Sequence, residues 1–296
     1  AGSGTSSNMN VNEVLGNLAA ETLGGKRGDR KTVHPNDDVN MGESTNNVFP
    51  SAIRVAAVEL SGGLFQALER LIAALDQKAD EFSNVWKTGR THLQDAVPIT
   101  LGQEFAAWAQ ALRKAERRVA CACMDLMELG IGGNAIGTGV NTPAAFRSEI
   151  IKALNQATGQ EYRAATNGIE ITQFLSDMGA FSGALKMLAL DINKIVNDLR
   201  LLASGPNTGF GEILLPPVEP GSSIMPGKIN PSICEAANMA CLQVVGNDAA
   251  VSMGCAAGQL ELNTHMPLVG TNIVKSLRIL TKVCAALDQK CVRGIT

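Results

Sequence analysis

The sequence predicts a mainly α protein built as a bundle of long helices, and three observations carry that reading. Aromatic residues make up 4% of the chain while Ala, Leu, Val and Ile are plentiful, which suits helix-on-helix packing better than stacked sheets. Between Ile169 and Ser204, apolar residues fall at Ile171, Phe174, Met178, Phe181, Leu185, Leu188, Ile192, Ile195, Leu199 and Leu202, in alternating steps of three and four. Such a heptad seam marks a helix packed nearly parallel to other long helices. No strand-like alternation runs longer than a few residues.

At ~1.5 Å per residue the seam helix would be roughly 50 Å long, more than a compact domain can cover. Leu175, Met187, Leu190, Val196 and Leu201 make a second apolar side. One partner helix cannot bury both sides, so the expected architecture is a multi-helix bundle whose subunits associate through the central helices.

The other elements follow in order. Residues 1–12 read as too polar and Gly-rich for a core, and Glu13–Leu23 as a short helix stopped by Gly24-Gly25. A loop over 26–47 contains His34-Pro35-Asn36-Asp37 and Glu43-Ser44-Thr45-Asn46-Asn47. Pro50 fits the first turn of a helix reaching about Phe82, with Gly62-Gly63 marking a kink or a close approach. A loop with Gly89-Arg90-Thr91-His92-Leu93-Gln94-Asp95 precedes a helix over Leu101–Leu129. Gly130-Ile131-Gly132-Gly133-Asn134-Ala135 fits a dinucleotide-binding spacing, but no strand precedes it, so it reads as a Gly-rich turn running to Asn141. Ser232–Leu260 is rich in Ala and Gly, as the centre of a bundle requires, and Pro267 precedes a last helix ending near Cys291.

Composition narrows the function. A formal net charge of -3 provides no electrostatic footprint for nucleic acid. Seven cysteines without a Cys-x-x-Cys spacing read as reduced, buried thiols, and His34, His92 and His265 lack metal-ligand spacing. No metal or other cofactor is expected. No apolar run is read as spanning a membrane and Ala1–Asn8 is not a signal peptide, so the expected location is the cytoplasm, or the mitochondrial matrix in a eukaryote.

The chemically dense stretch is Gly221-Ser-Ser-Ile-Met-Pro-Gly-Lys-Ile-Asn-Pro231. Its glycines and prolines forbid a regular helix or strand. Two hydroxyls (Ser222, Ser223), one ammonium (Lys228) and one carboxamide (Asn230) form an inventory for holding and attacking a small carboxylate. It is not a phosphate-binding P-loop, because Ile229 stands where the Ser or Thr after the Lys should be.

This stretch resembles the signature of the fumarase/aspartase superfamily, Gly-Ser-Ser-x-Met-Pro-x-Lys-x-Asn-Pro, and the match is complete. Ser3-Gly4-Thr5 with Asn8-Met9-Asn10, Ser44-Thr45-Asn46, and Gly89–Ala96 look like its other boxes, in order. Within the superfamily the chain looks most like the class II fumarases, through His34-Pro35-Asn36-Asp37 and the Gly227 before Lys228.

The resemblance implies a hydro-lyase interconverting (S)-malate and fumarate by proton abstraction through an aci-carboxylate, with ammonia release from aspartate or a non-catalytic crystallin-like scaffold as the alternatives. It implies Ser222 as the base, His92 as the acid acting through a water, and Glu235 orienting His92; imidazole suits this because it titrates near neutral pH. Ser3, Thr5, Ser44, Thr45, Asn46, Thr91, Ser223, Lys228 and Asn230 would bind the dicarboxylate, with Lys228 and Asn230 supplying the fixed charge and dipole that stabilise the extra negative charge. Lys31, His34, Asn36 and Asp37 would form a second anion site. It further implies a homotetramer with shared active sites, residues 1–296 forming the central helical domain, an N-terminal helical part before Ala1 and a small C-terminal domain after Thr296. Three positions depart from the pattern: Asn47 for the usual Asp, Glu43 for the common Gln, and Lys31 for an Arg, the last weakening bidentate anion binding.

Overall fold

A computed structural model describes residues 3–221, 224, 225 and 227–296; Ser222 and Ser223 lie outside the described residues. The protein is mainly helical. It divides into two compact units interleaved in sequence, one of Ala1–Val58, Cys123–Ala180 and Ala249–Val274, the other of Glu59–Ala122, Phe181–Asp248 and Lys275–Thr296.

In the first unit, α1 spans Thr5–Thr22, beginning well before the expected Glu13. The polar start is helical because its amides have partners: Asn8 and Asn12 are buried and both donate to Asn40 Oδ1, at 3.2 and 2.9 Å. Gly24, at φ 85, ends the segment as expected. A π-helical turn follows at Pro35–Val39.

The long α2, Thr45–Glu81, starts before Pro50 rather than at it. Ser44 and Asn47 cap it reciprocally: Ser44 Oγ accepts from the Asn46 N–H and Asn47 Oδ1 from the Ser44 N–H, each at 3.2 Å. A Cβ on Gly62 or Gly63 would meet nothing within 4 Å, so neither marks a close approach within this chain. By length and composition α2 could cross a bilayer, contrary to the expectation that no such run exists. Yet Leu64, Leu68, Leu71 and Leu75 are buried in the protein core.

The rest of the first unit is built from short elements. Two-residue strands β3 (Glu128–Leu129) and β4 (Arg163–Ala164) pair in parallel, with helix α4 (Phe146–Thr158) between them. In the Gly-rich turn, a Cβ on Gly137 would lie 2.0 Å from Gly168 O, so these glycines serve backbone-to-backbone packing.

The seam helix is broken. Helix α5 (Gly168–Gln173) stops at Phe174, which is extended and 52% exposed, and α6 begins at Ser176 and runs to Leu202. Its 27 residues give about 40 Å rather than 50. The heptad reading holds inside it: Met178, Phe181, Leu185, Leu188, Ile192, Ile195, Leu199 and Leu202 are all buried. On the second side Leu175 and Val196 are buried, while Met187, Leu190 and Leu201 remain exposed.

In the second unit α2 ends against the start of α3 (Leu101–Asp125), four residues short of the expected end at Leu129. Gly102 allows this, since a Cβ there would sit 2.3 Å from Ala79 O. Between them, where a loop was expected, strands β1 (Trp86–Thr91) and β2 (Gln94–Thr100) form an antiparallel hairpin. The hairpin projects with Trp86 and Val97 both 71% exposed, so it never produces the inward-apolar alternation by which a strand is recognised. Helices α7 (Ser232–Cys255) and α8 (Met266–Lys290) complete the fold, α7 ending before the expected Leu260 and Pro267 lying in the first turn of α8. Of the cysteines, Cys123, Cys234, Cys241, Cys284 and Cys291 are buried but Cys121 is exposed.

Candidate functional site

The first unit gathers two of the polar boxes and the Gly-rich turn. Gly4 adopts φ 93, and a Cβ there would lie 2.7 Å from the Phe49 ring, so the Ser3-Gly4-Thr5 turn is laid directly on the first turns of α2. Ser3 and Thr5 share a hydroxyl hydrogen bond of 3.3 Å. Asn8 donates to Thr45 Oγ1 at 3.1 Å, and Asn46 donates to Ala135 O at 2.8 Å, which brings the Gly-rich turn into the same cluster. The hydroxyls and amides expected to hold carboxylates, Ser3, Thr5, Ser44, Thr45 and Asn46, are therefore neighbours at the helix starts.

Beneath this cluster lies Glu43. Both its carboxyl oxygens are buried and neither makes a well-formed hydrogen bond; the Asn47 amide nitrogen is buried and similarly unmatched. Burial pushes the Glu43 carboxyl above its usual range, an effect that nearby Asn47 and the Gly132 N–H only partly offset. A raised folded-state value favours the native state below the unfolded carboxyl's pKa and loses that advantage as pH rises through the folded value. Glu43→Gln should accordingly raise the thermal midpoint at pH 7 and leave it nearly unchanged near pH 4. A melt series across that range checks it; equal shifts at both pH values would show that Glu43 is not held against its ionisation.

The second unit holds the remaining described groups. Thr91 and His92 are exposed at the hairpin end, where His92 (φ 57) and Leu93 (φ 59) form a two-residue left-handed turn. Lys228 donates to Asn230 Oδ1 at 2.6 Å beside a groove of about 980 Å³ also lined by Asn197, Arg200, Leu214 and Thr296. Glu235 sits in the first turn of α7, where its carboxylate lies 3.6 Å from Arg200. Within this chain its charged partner is Arg200. The described residues contain no cluster of three metal-ligating side chains.

At the expected second anion site, His34 Nδ1 accepts from the Asn36 and Asp37 N–H groups at 3.3 and 3.2 Å. This cap places the ring proton on Nε2. Lys31, Asn36 and Asp37 are exposed around it.

Several contributors were not read from sequence. Asn12 and Asn40 support the first cluster, and Glu212 gathers the cations of the hairpin, with Lys87 Nζ and Arg90 Nη1 at 2.9 and 2.6 Å from its two oxygens. Glu212 is 122 positions from Arg90, and nothing local signals such a pairing.

A helical protein with hydroxyls and amides clustered at the starts of α1 and α2 and a Lys-Asn loop leading into α7 has a build that suits a lyase. The chain belongs to the lyase family, whose model matches residues 1–246. It is 48% identical over 295 residues to a class II fumarate hydratase of Chromobacterium violaceum and 46% identical to one of Brucella suis, covering 99% of this chain and 64% of each relative. Among solved structures it resembles a fumarate lyase:delta crystallin from Brucella melitensis bound to cobalt, with TM-score 0.97 and 50% identity over 100% of this chain and 64% of that one. A recombinant class II fumarase from Schistosoma mansoni matches with TM-score 0.96 and 40% identity over 100% of this chain and 65% of that one. The chain thus spans just under two thirds of the length of the relatives it matches.

Proposed function

We propose that this protein is a class II fumarate hydratase, interconverting (S)-malate and fumarate. The observation that carries the reading is the likeness to class II fumarases along the whole chain, joined to a complete set of polar boxes in which Ser222, His92, Lys228 and Asn230 all stand.

In the dehydration direction Ser222 takes the proton from the carbon beside one carboxylate, and the electron pair is held as an aci-carboxylate. Lys228 and Asn230 face that charge, while Ser3, Thr5, Ser44, Thr45, Asn46, Thr91 and Ser223 fix the two carboxylates. His92, acting through a water, protonates the departing hydroxyl, so fumarate and water leave together. A serine hydroxyl is a weak base unaided, and the ammonium of Lys228 six residues on is the cation that would favour its alkoxide.

The site is completed by other copies of the chain in a homotetramer. Met187, Leu190 and Leu201 on α6 and Met239 and Leu242 on α7 present apolar surface that a central bundle would cover. In that assembly His92, exposed on its hairpin, would meet Glu235 of another copy. The His34 turn, with a partly exposed imidazole and Lys31 three residues before it, would take a second dicarboxylate, and the enzyme would work in the cytoplasm.

The test is fumarate absorbance with purified protein. Fumarate should form from malate without ammonium. Fumarate consumption that requires ammonium would reassign the protein as an aspartate ammonia-lyase, and no turnover in either assay would leave a scaffold.

A further inference from the structure

We propose that Glu212 is a positioning residue for His92, holding the hairpin that carries the imidazole; the inference rests on the hydro-lyase reading. An isolated two-stranded hairpin is marginally stable, and this one has little to lean on: residues 91–98 are exposed and its ladder is interrupted between Thr88 and Arg90. Something outside the ladder must set the direction of its tip.

Glu212 does so with a hydrogen bond through one oxygen and an ion pair, without hydrogen-bond geometry, through the other. Oε1 accepts from Arg90 Nη1 at 2.6 Å, and Oε2 lies 2.9 Å from Lys87 Nζ. Lys87 and Arg90 are three residues apart, an odd separation that in a flat strand sends side chains to opposite faces. The added twist of the bulged ladder lets both reach one carboxylate.

The contacts around this carboxylate stiffen it. The Arg90 guanidinium lies 4.4 Å from the Phe210 ring centroid, and Lys87, itself nearly buried, also pairs with Glu104 at 2.9 Å on the first turn of α3. Held by Glu212, Glu104 and Phe210, Lys87 and Arg90 leave His92, two residues beyond Arg90, less freedom to swing.

Glu212 is also well anchored. Its own N–H bonds to Leu202 O at 2.9 Å, and the Gly211 N–H to Ser204 O at 2.8 Å, tying it to the end of α6. From there the chain is pinned again by the Leu214–Thr296 backbone pair and then enters the signature loop. The acid-bearing hairpin and the stem of the base-bearing loop therefore share one anchor.

The test compares Glu212→Gln, Arg90→Gln and the double variant with wild type in malate dehydration. Glu212→Gln should lower kcat by about 10–100-fold, as a misaimed catalytic group does, with KM within about threefold. The double variant should be little worse than either single, because both cut the same link. Turnover within twofold of wild type, a loss confined to KM, or additive effects would overturn the inference.

Two further measurements separate the possible failures. Amide exchange over Trp86–Thr100 should speed up in Glu212→Gln whether or not the protein acts on malate, and unchanged exchange overturns the anchoring role. An inactive wild type with faster exchange in the variant would instead count against the hydro-lyase reading. If Glu212→Gln does not fold, Phe210→Leu removes the stack beneath Arg90 without touching charge; it should still lower kcat severalfold, and unaltered kcat there overturns the inference.

Discussion

Replacing Ser222 with alanine, or His92 with asparagine, should each reduce malate dehydration by roughly 10²–10⁴-fold, the range of a lost general base or acid. Asparagine is the informative choice at 92. It accepts the left-handed backbone found there (φ 57), so the turn survives while the proton donor is lost. Because the two groups act in one proton-transfer sequence, the double variant should be scarcely worse than the poorer single. Turnover from malate measured beside far-UV circular dichroism checks both; near-normal turnover in Ser222→Ala would move the base to another group. Helix content should not change, since His92 lies in the hairpin turn and the Gly- and Pro-rich sequence around Ser222 excludes a regular helix.

Arg54→Met should cost about 3–5 kcal/mol of folding stability, the penalty for orphaning one half of a buried ion pair. Arg54 is 1% exposed, and its Nε and Nη2 donate to the two carboxylate oxygens of Asp177 at 2.6 and 2.9 Å. Asp177 opens α6, so the fork also fixes where that helix begins. Methionine keeps most of the volume and none of the charge. A second change, Asp177→Asn, should recover much of the loss by removing the stranded carboxylate. Denaturant midpoints for wild type, single and double variants decide it: a single variant within 1 kcal/mol of wild type would mean that Asp177 finds water in place of the guanidinium.

The helices were legible where burial is continuous. From Met178 to Leu202 every seam position predicted to face inward does so, because a long buried stripe writes its period into the sequence. The seam failed only at Phe174, where the spacing continued although the helix did not: an exposed aromatic at a helix break matches the pattern by position alone. The short helix α4 and the β3–β4 pair carry too few residues to impose a period. Asn8 and Asn12 misled for the opposite reason, since buried amides look like loop residues until their partners, here Asn40 and Thr45, are known. In the site, the boxes themselves were readable as local clusters. Their supports were not: Arg54–Asp177 and Arg90–Glu212 each join residues more than a hundred positions apart.

The turn at His92 and Leu93 bears on how this chain could be altered. Asn-Gly would form the same reversal with less effort, whereas each of these side chains in left-handed backbone gives up roughly 1–2 kcal/mol. Selecting variants for heat tolerance alone would therefore reward replacing the imidazole, and a library screened that way would drift toward robust proteins that have lost their proton donor.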